Sequence, residues 1–148
     1  MKKKKYKKLG YQRNKYLEDI GLKPEECGTN FCTKKDDRNK KWKKQREKYG
    51  FDSRETWNLN DMFYEWLYSR LSMYIEVASK IVDLSYHTFE YTPTGESEPK
   101  IVTQGEAIEI IRAEAKRMIL ADILDSDYKP FDENIMILFY KILPALWW

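Results

Sequence analysis

The sequence has no apolar run long enough to span a bilayer, and its lysine-rich start is not followed by the apolar segment that a secretory signal requires. No membrane role is expected, and a cytoplasmic location is. Cysteine is nearly absent: Cys27 and Cys32 are the two, expected as thiols rather than as a bridge. Separated by four residues, they could offer two zinc ligands, but a closed structural site needs four and His87 is the single histidine. No metal and no cofactor are therefore expected. The chain also lacks a glycine-rich phosphate loop and any Ser or Cys setting of the nucleophile-elbow kind, so an enzyme is not expected.

Charge is abundant and unevenly spread. Residues 1–50 carry 18 Lys and Arg against 7 Asp and Glu, whereas residues 51–148 carry 9 against 17, so a net +3 conceals a basic part and an acidic part. Aromatic residues make up 15% of the chain, too many for a chain disordered throughout. The division expected is a basic N-terminal arm, residues 1–49, partly disordered or docked, and a helical body, residues 50–148. The run of lysines in residues 1–9 cannot pack on itself and is expected to be disordered when free.

The strongest periodic signal lies between Leu59 and Val82. Leu59, Met62, Phe63, Trp66, Leu67, Leu71, Tyr74, Val77, Ala78, Ile81 and Val82 recur at helical spacing over about six turns. Asn58 or Thr56 can cap the start, and Asp61, Glu65, Ser69, Ser72, Glu76 and Lys80 take the opposite, solvent face. Trp66 sits mid-stripe and is expected in the core. Upstream, Tyr11–Ile20 predicts a short helix stopped by Gly21, and Asp36 or Asp37 can cap a second, through Lys48, stopped at Gly50. The only large apolar residue of that second helix is Trp42. Downstream, Leu84–Tyr91 and Lys100–Val102 predict a short β-hairpin around Thr94-Gly95. Thr103 and Glu106 have capping-box spacing for a helix reaching about Leu124, and Pro130 or Asp132 opens a last helix with Ile135, Leu138, Phe139, Ile142 and Leu143 inward. The expected fold is mainly α, built around one long central helix.

Chemistry-bearing residues are few. Lys2, Lys3, Lys4, Lys5, Lys7, Lys8, Arg13, Lys40, Lys41, Lys43 and Lys44, interleaved with Tyr6, Tyr11, Tyr16 and Trp42, have the composition of a nucleic-acid surface, since lysines neutralise phosphates and aromatics stack on bases. The competing reading is a basic arm on its own acidic body. Arg54, Glu55, Trp57 and His87 are candidates for binding a partner, a small molecule or a nucleotide. Against this, Arg54 pairing with Asp52 or Glu55 would simply fix the start of the long helix. Trp147 and Trp148 place two indoles after Pro144 and need a cover, either the chain's own body, which is the expectation, or a second subunit or host target.

Several stretches taken together, Arg13-Asn14-Lys15-Tyr16-Leu17, Gly28-Thr29-Asn30, Lys41-Trp42, Glu47-Lys48-Tyr49-Gly50-Phe51-Asp52, Arg54-Glu55-Thr56-Trp57, Ile81-Val82-Asp83-Leu84-Ser85-Tyr86-His87 and Pro144-Ala145-Leu146-Trp147-Trp148, resemble a group of small proteins encoded by phages and prophages of Gram-positive bacteria. Phe31-Cys32 departs from that pattern. The resemblance brings no catalytic residue or cofactor with it. It implies an accessory role in the cytoplasm of an infected or lysogenic host, such as host takeover, anti-defence or nucleoprotein binding. The function expected is non-enzymatic binding of a protein or nucleoprotein partner, with direct nucleic-acid binding through the Lys-rich arm as the alternative and homo-oligomerisation left open.

Overall fold

The structure, a computed structural model, describes residues 2–148; of Lys2 and Lys3 only the backbone lies within that description. The chain is mainly α-helical with one two-stranded antiparallel hairpin among the described residues. In order, α1 spans Lys2–Leu9, α2 Lys15–Asp19, α3 Asn39–Tyr49, α4 Leu59–Ala78, β1 Thr88–Tyr91, β2 Lys100–Thr103, α5 Gln104–Leu120 and α6 Glu133–Ile142. Two compact units result, residues 1–66 and 67–148, with the boundary inside α4.

That boundary differs from the expected division at residues 49 and 50. The residues of the expected arm are tied to those just beyond it: Ser53 N donates to Gln45 Oε1 at 3.0 Å, and Gly28 N donates to Glu65. Residues 2–9 are helical rather than disordered. The helix stops in a Schellman arrangement, with Gly10 at φ +75°, Gly10 N donating to Lys7 O and Tyr11 N to Tyr6 O. Tyr6 then lies 5.6 Å from Tyr11 and under the Arg13 guanidinium, so an aromatic pair and a cation cover what a lysine run alone could not. α2 ends the same way at Gly21, and α3 ends at Gly50 with φ +84°.

Apolar burial in residues 1–66 is slight. Leu17, Cys27 and Trp42 are buried, together with the polar Asn30, Thr33, Asp52, Arg54 and Glu65. Asn30 holds three backbone segments together: its Oδ1 accepts from Gln12 N at 2.7 Å, and its Nδ2 donates to Gln12 O at 2.6 Å and Pro24 O at 2.7 Å.

α4 follows the expected stripe in part: Leu67, Leu71 and Ala78 are buried, and Asp61, Glu76 and Lys80 are exposed. Trp66 is 45% exposed, as are Leu59 and Ile81 to a greater extent, while Glu65, Ser69 and Ser72 from the expected solvent face are buried with Leu67, Tyr68 and Leu71. Local bonding makes burial of a polar residue beside them tolerable. Ser72 Oγ donates to Tyr68 O at 2.6 Å and accepts from Arg112 Nε at 3.0 Å, so a serine inside the fold is fully used. The helix also stops at Ala78, with Ser79–Val82 forming turns rather than continuing it.

Residues 67–148 have an apolar core. α5 begins with the expected capping box: Thr103 N donates to Glu106 Oε2 at 2.7 Å and Glu106 N to Thr103 Oγ1 at 3.2 Å. It buries Ala107, Ile108, Ile111, Ala115 and Met118, a helical stripe that packs with Leu138 and Ile142 of α6. β1 pairs with β2 from Thr88 opposite Thr103 to Tyr91 opposite Lys100, and Lys141 Nζ of α6 donates to Glu90 O of β1. α5 ends at Leu120, short of the expected Leu124. Beyond it Asp122 and Asp125 accept from Leu124 N and Asp127 N, local bonds that compete with helix and leave Ile123 and Leu124 exposed.

Candidate nucleic-acid interface

α3 carries the site because its sequence gives it one apolar anchor. Trp42 is 1% exposed, and around it Lys40, Lys41, Lys43, Lys44 and Lys48 are left at the surface. Lys43 approaches Glu47 at 3.9 Å; Lys40, Lys41 and Lys44 form no ion pair among the described residues. Lys40, Lys41, Lys44, Gln45, Lys48 and Tyr49 line one shallow open groove along the helix.

Beneath this face the charge is internal and satisfied. The wholly buried Arg54 donates from Nε to Asp52 Oδ1 at 2.9 Å and from Nη2 to Asp52 Oδ2 at 2.7 Å, and its Nη1 bonds Thr33 Oγ1. Burial alone would raise the Asp52 carboxyl, but hydrogen bonds from Arg54 and Arg46 outweigh it and hold the group below the usual carboxylate range. Arg54 therefore supports the fold and is closed to a ligand, with Glu55 half-buried beside it. The sequence reading in which Arg54 merely pairs with Asp52 is the one the geometry bears out.

Above Arg54 the aromatics form a chain. The Arg54 guanidinium lies 4.5 Å from the Trp42 ring, and Arg38 lies 4.9 Å from Trp42 and 5.3 Å from Trp57. Trp57 is edge-on to Trp42 and to Phe31, both at 5.9 Å. Trp57 is 46% and Phe31 57% exposed. Arg38 is itself held by a bidentate bond to Asp36, and the hydrogen bonds from Arg38 keep that carboxyl down at about 2. Trp57 was legible as a candidate; Arg38 and Phe31 were not. The i to i+4 spacing of Arg38 and Trp42 was the available signal.

The remaining sequence candidates are dispersed. Lys4, Lys5, Lys7 and Lys8 are exposed on α1, Arg13 is paired with Glu18, and the side chains of Lys2 and Lys3 lie outside the described residues. His87 is exposed just before β1, in the other unit from Arg54 and Glu55. Trp147 and Trp148 are 70% and 59% exposed, which overturns the expected self-packing. The tail backbone is nevertheless tied down, since Tyr74 Oη donates to Trp147 O and Gln104 Nε2 to Ala145 O. Docking the backbone of this segment does not need its indoles.

One further buried group was missed. Both Glu65 oxygens accept from Gly28 N at 3.2 Å, next to the buried Cys27 thiol. Burial pushes Glu65 up to about 7 against that hydrogen bond, and pushes Cys27 up to about 12. Cys27 and Cys32 are both free thiols, and no group of three or more potential metal ligands converges among the described residues. No helix among them is long and apolar enough to cross a membrane. No protein-family model, curated protein or solved structure matches the chain.

Proposed function

We propose that the protein acts without catalysis by binding a macromolecule, and that residues 1–66 supply a nucleic-acid-binding face. The observation that carries this reading is α3, anchored by Trp42 and presenting Lys40, Lys41 and Lys44 without ionic partners among the described residues. Residues 1–66 contain 19 Lys and Arg against 11 Asp and Glu, a surplus of eight positive charges, and the exposed lysines of α1 add to it. Phosphates approaching such a face release counterions, which makes binding favourable and salt-dependent. The resemblance to phage-encoded proteins fits an accessory nucleoprotein or anti-defence role in the cytoplasm of a bacterial host.

The test is the salt dependence of binding to about 20 base pairs of duplex and to a strand of the same length. Replacing Lys40, Lys41 and Lys44 together by Gln should weaken binding to both and reduce the slope of log K against log salt, by up to about 0.9 per lost contact on duplex and 0.7 on single strand. An unchanged slope, or no binding by the parent at low salt, refutes the reading.

A second reading rests on the exposed Trp147 and Trp148, which favour a protein partner for residues 67–148, whether a host protein or a second copy. Sedimentation of the parent and of a chain truncated after Leu146 separates the two. A parent dimer lost on truncation supports a second copy, and a monomer in both supports a host protein.

A further inference from the structure

We propose that Phe31, Arg38 and Trp57 form a stacking platform for unpaired bases, so that the nucleic acid bound by residues 1–66 is single-stranded; this rests on the reading of that unit as a nucleic-acid face. Large aromatic side chains in a unit with so little apolar burial are expected inside it, and Trp42 is. Phe31 and Trp57 instead remain about half exposed, as do Tyr49, Phe51 and Trp66, but only those two meet each other beside the Arg38 guanidinium. Neither neighbouring ring lies flat on Trp57: Phe31 meets it at 90° and Trp42 at 75°. The Arg38 guanidinium lies over the Trp57 ring, 5.3 Å from its centroid, so a planar ligand would lie against the part of the indole that Arg38 leaves exposed, with that cation beside it.

The platform is held before any ligand arrives. Trp57 N donates to Arg54 O at 3.2 Å, its ring meets those of Trp42 and Phe31, and the Arg38 guanidinium is held by Asp36, so part of the ordering is in place before binding. Its surroundings suit a phosphate backbone. Lys34 and Lys35 follow Phe31 in the same loop and are exposed, and Lys41 stands three residues after Arg38 on α3. In a duplex the base faces are already stacked and cannot reach such a platform without unstacking, whereas a single strand presents them directly.

The experiment is fluorescence anisotropy of labelled oligothymidylate and oligouridylate of about 20 nucleotides, and of a duplex of matched length, at low salt. The parent should prefer the single strands. Trp57→Ala should lower single-strand affinity about ten- to hundredfold, leave duplex affinity and the salt slope unchanged, and be largely rescued by Trp57→Phe. Equal affinity of oligothymidylate and oligouridylate supports base stacking as the shared chemistry, and preference for one assigns DNA or RNA as the natural strand. If Trp57→Ala shifts the melting temperature, Phe31→Ala is read in its place with the same expected direction. Equal parent affinity for strand and duplex, with both aromatic variants unchanged, overturns the platform while leaving the basic face standing. Absence of all binding overturns the basic face itself. Trp57-dependent binding of polyglutamate as tight as that of the oligonucleotides overturns the proposal in favour of an acidic polypeptide.

Discussion

Replacing Glu65 by glutamine should make the protein more stable than the parent in mild alkali and about equally stable in mild acid. Glu65 is 8% exposed, accepts from Gly28 N through both oxygens, and has the Cys27 thiol, Asp61 and Glu55 as its electrostatic neighbours. Burial is the main cause of its rise from 4.5 to about 7, and the acidic neighbours push the same way. A carboxyl raised in the fold contributes its stability fully below the unfolded value near 4.5 and loses it as pH climbs through about 7. The displacement of about 2.5 units corresponds to roughly 3 kcal/mol between the two limits. Glutamine keeps an oxygen for the Gly28 N–H and cannot ionise, so it removes the pH-dependent loss and keeps the bond. Urea melts of both proteins at about pH 5 and 8.5 measure the difference directly. A constant difference at the two pH values, or a glutamine variant weaker at both, would show that Glu65 is ionised in the fold and would refute the reasoning.

Asp52→Asn should cost about 3 to 5 kcal/mol by denaturant melting, because it leaves Arg54 buried without its counter-charge; a cost under about 1 kcal/mol would mean that water reaches Arg54. Leu67→Ala should cost about 2 to 5 kcal/mol and Trp66→Ala clearly less, since Leu67 is fully buried and Trp66 is not, and the reverse order would restore the simple stripe for α4. Thr103→Ala should cost about 1 kcal/mol through loss of the α5 cap, read as a lowered melting temperature, with no change expected in oligonucleotide affinity.

The second half of the chain was largely legible because its signals are local. Thr103 and Glu106 announce α5, Asp132 announces α6, and the apolar positions of both helices repeat at a single period. The first half was not, because long-range polar contacts organise it. Nothing near Asn30 says that its side chain will bond Gln12 and Pro24, and nothing near Glu65 says that Gly28 will donate to it. α4 departs from a single stripe for a related reason: its residues are divided between two units, and Trp66 is exposed while Ser69 and Ser72 are buried. The candidate site was half legible. Lysine counts and Trp57 stand in the sequence, whereas Arg38 and Phe31 join the site only through the turn geometry of residues 31–38 and the docking of Trp42.

The slight apolar burial of residues 1–66 links the stability of that unit to its proposed ligand. Among the described residues, three hydrophobic side chains are buried in residues 1–66 against twelve in residues 67–148, and α3 is tied down by Trp42, by Arg46 donating to Asp52 and by Gln45 accepting from Ser53 N. On the outside of that helix Lys40 and Lys44, Lys41 and Lys44, and Lys44 and Lys48 stand at i+3 or i+4 positions, and like charges at such spacing repel. The repulsion is a standing cost for a helix with so little apolar holding. Phosphates laid along the groove would remove the repulsion while leaving the Trp42 anchor untouched. Binding would then stabilise the unit by mass action as well as by relieving this strain, and added salt, which screens the lysines but also weakens phosphate binding, should stabilise the free protein and destabilise the complex. Opposite responses of melting temperature to salt in the presence and absence of oligonucleotide are what a helix organised for an external anion requires; a helix whose lysines are merely solvated gives the same response in both.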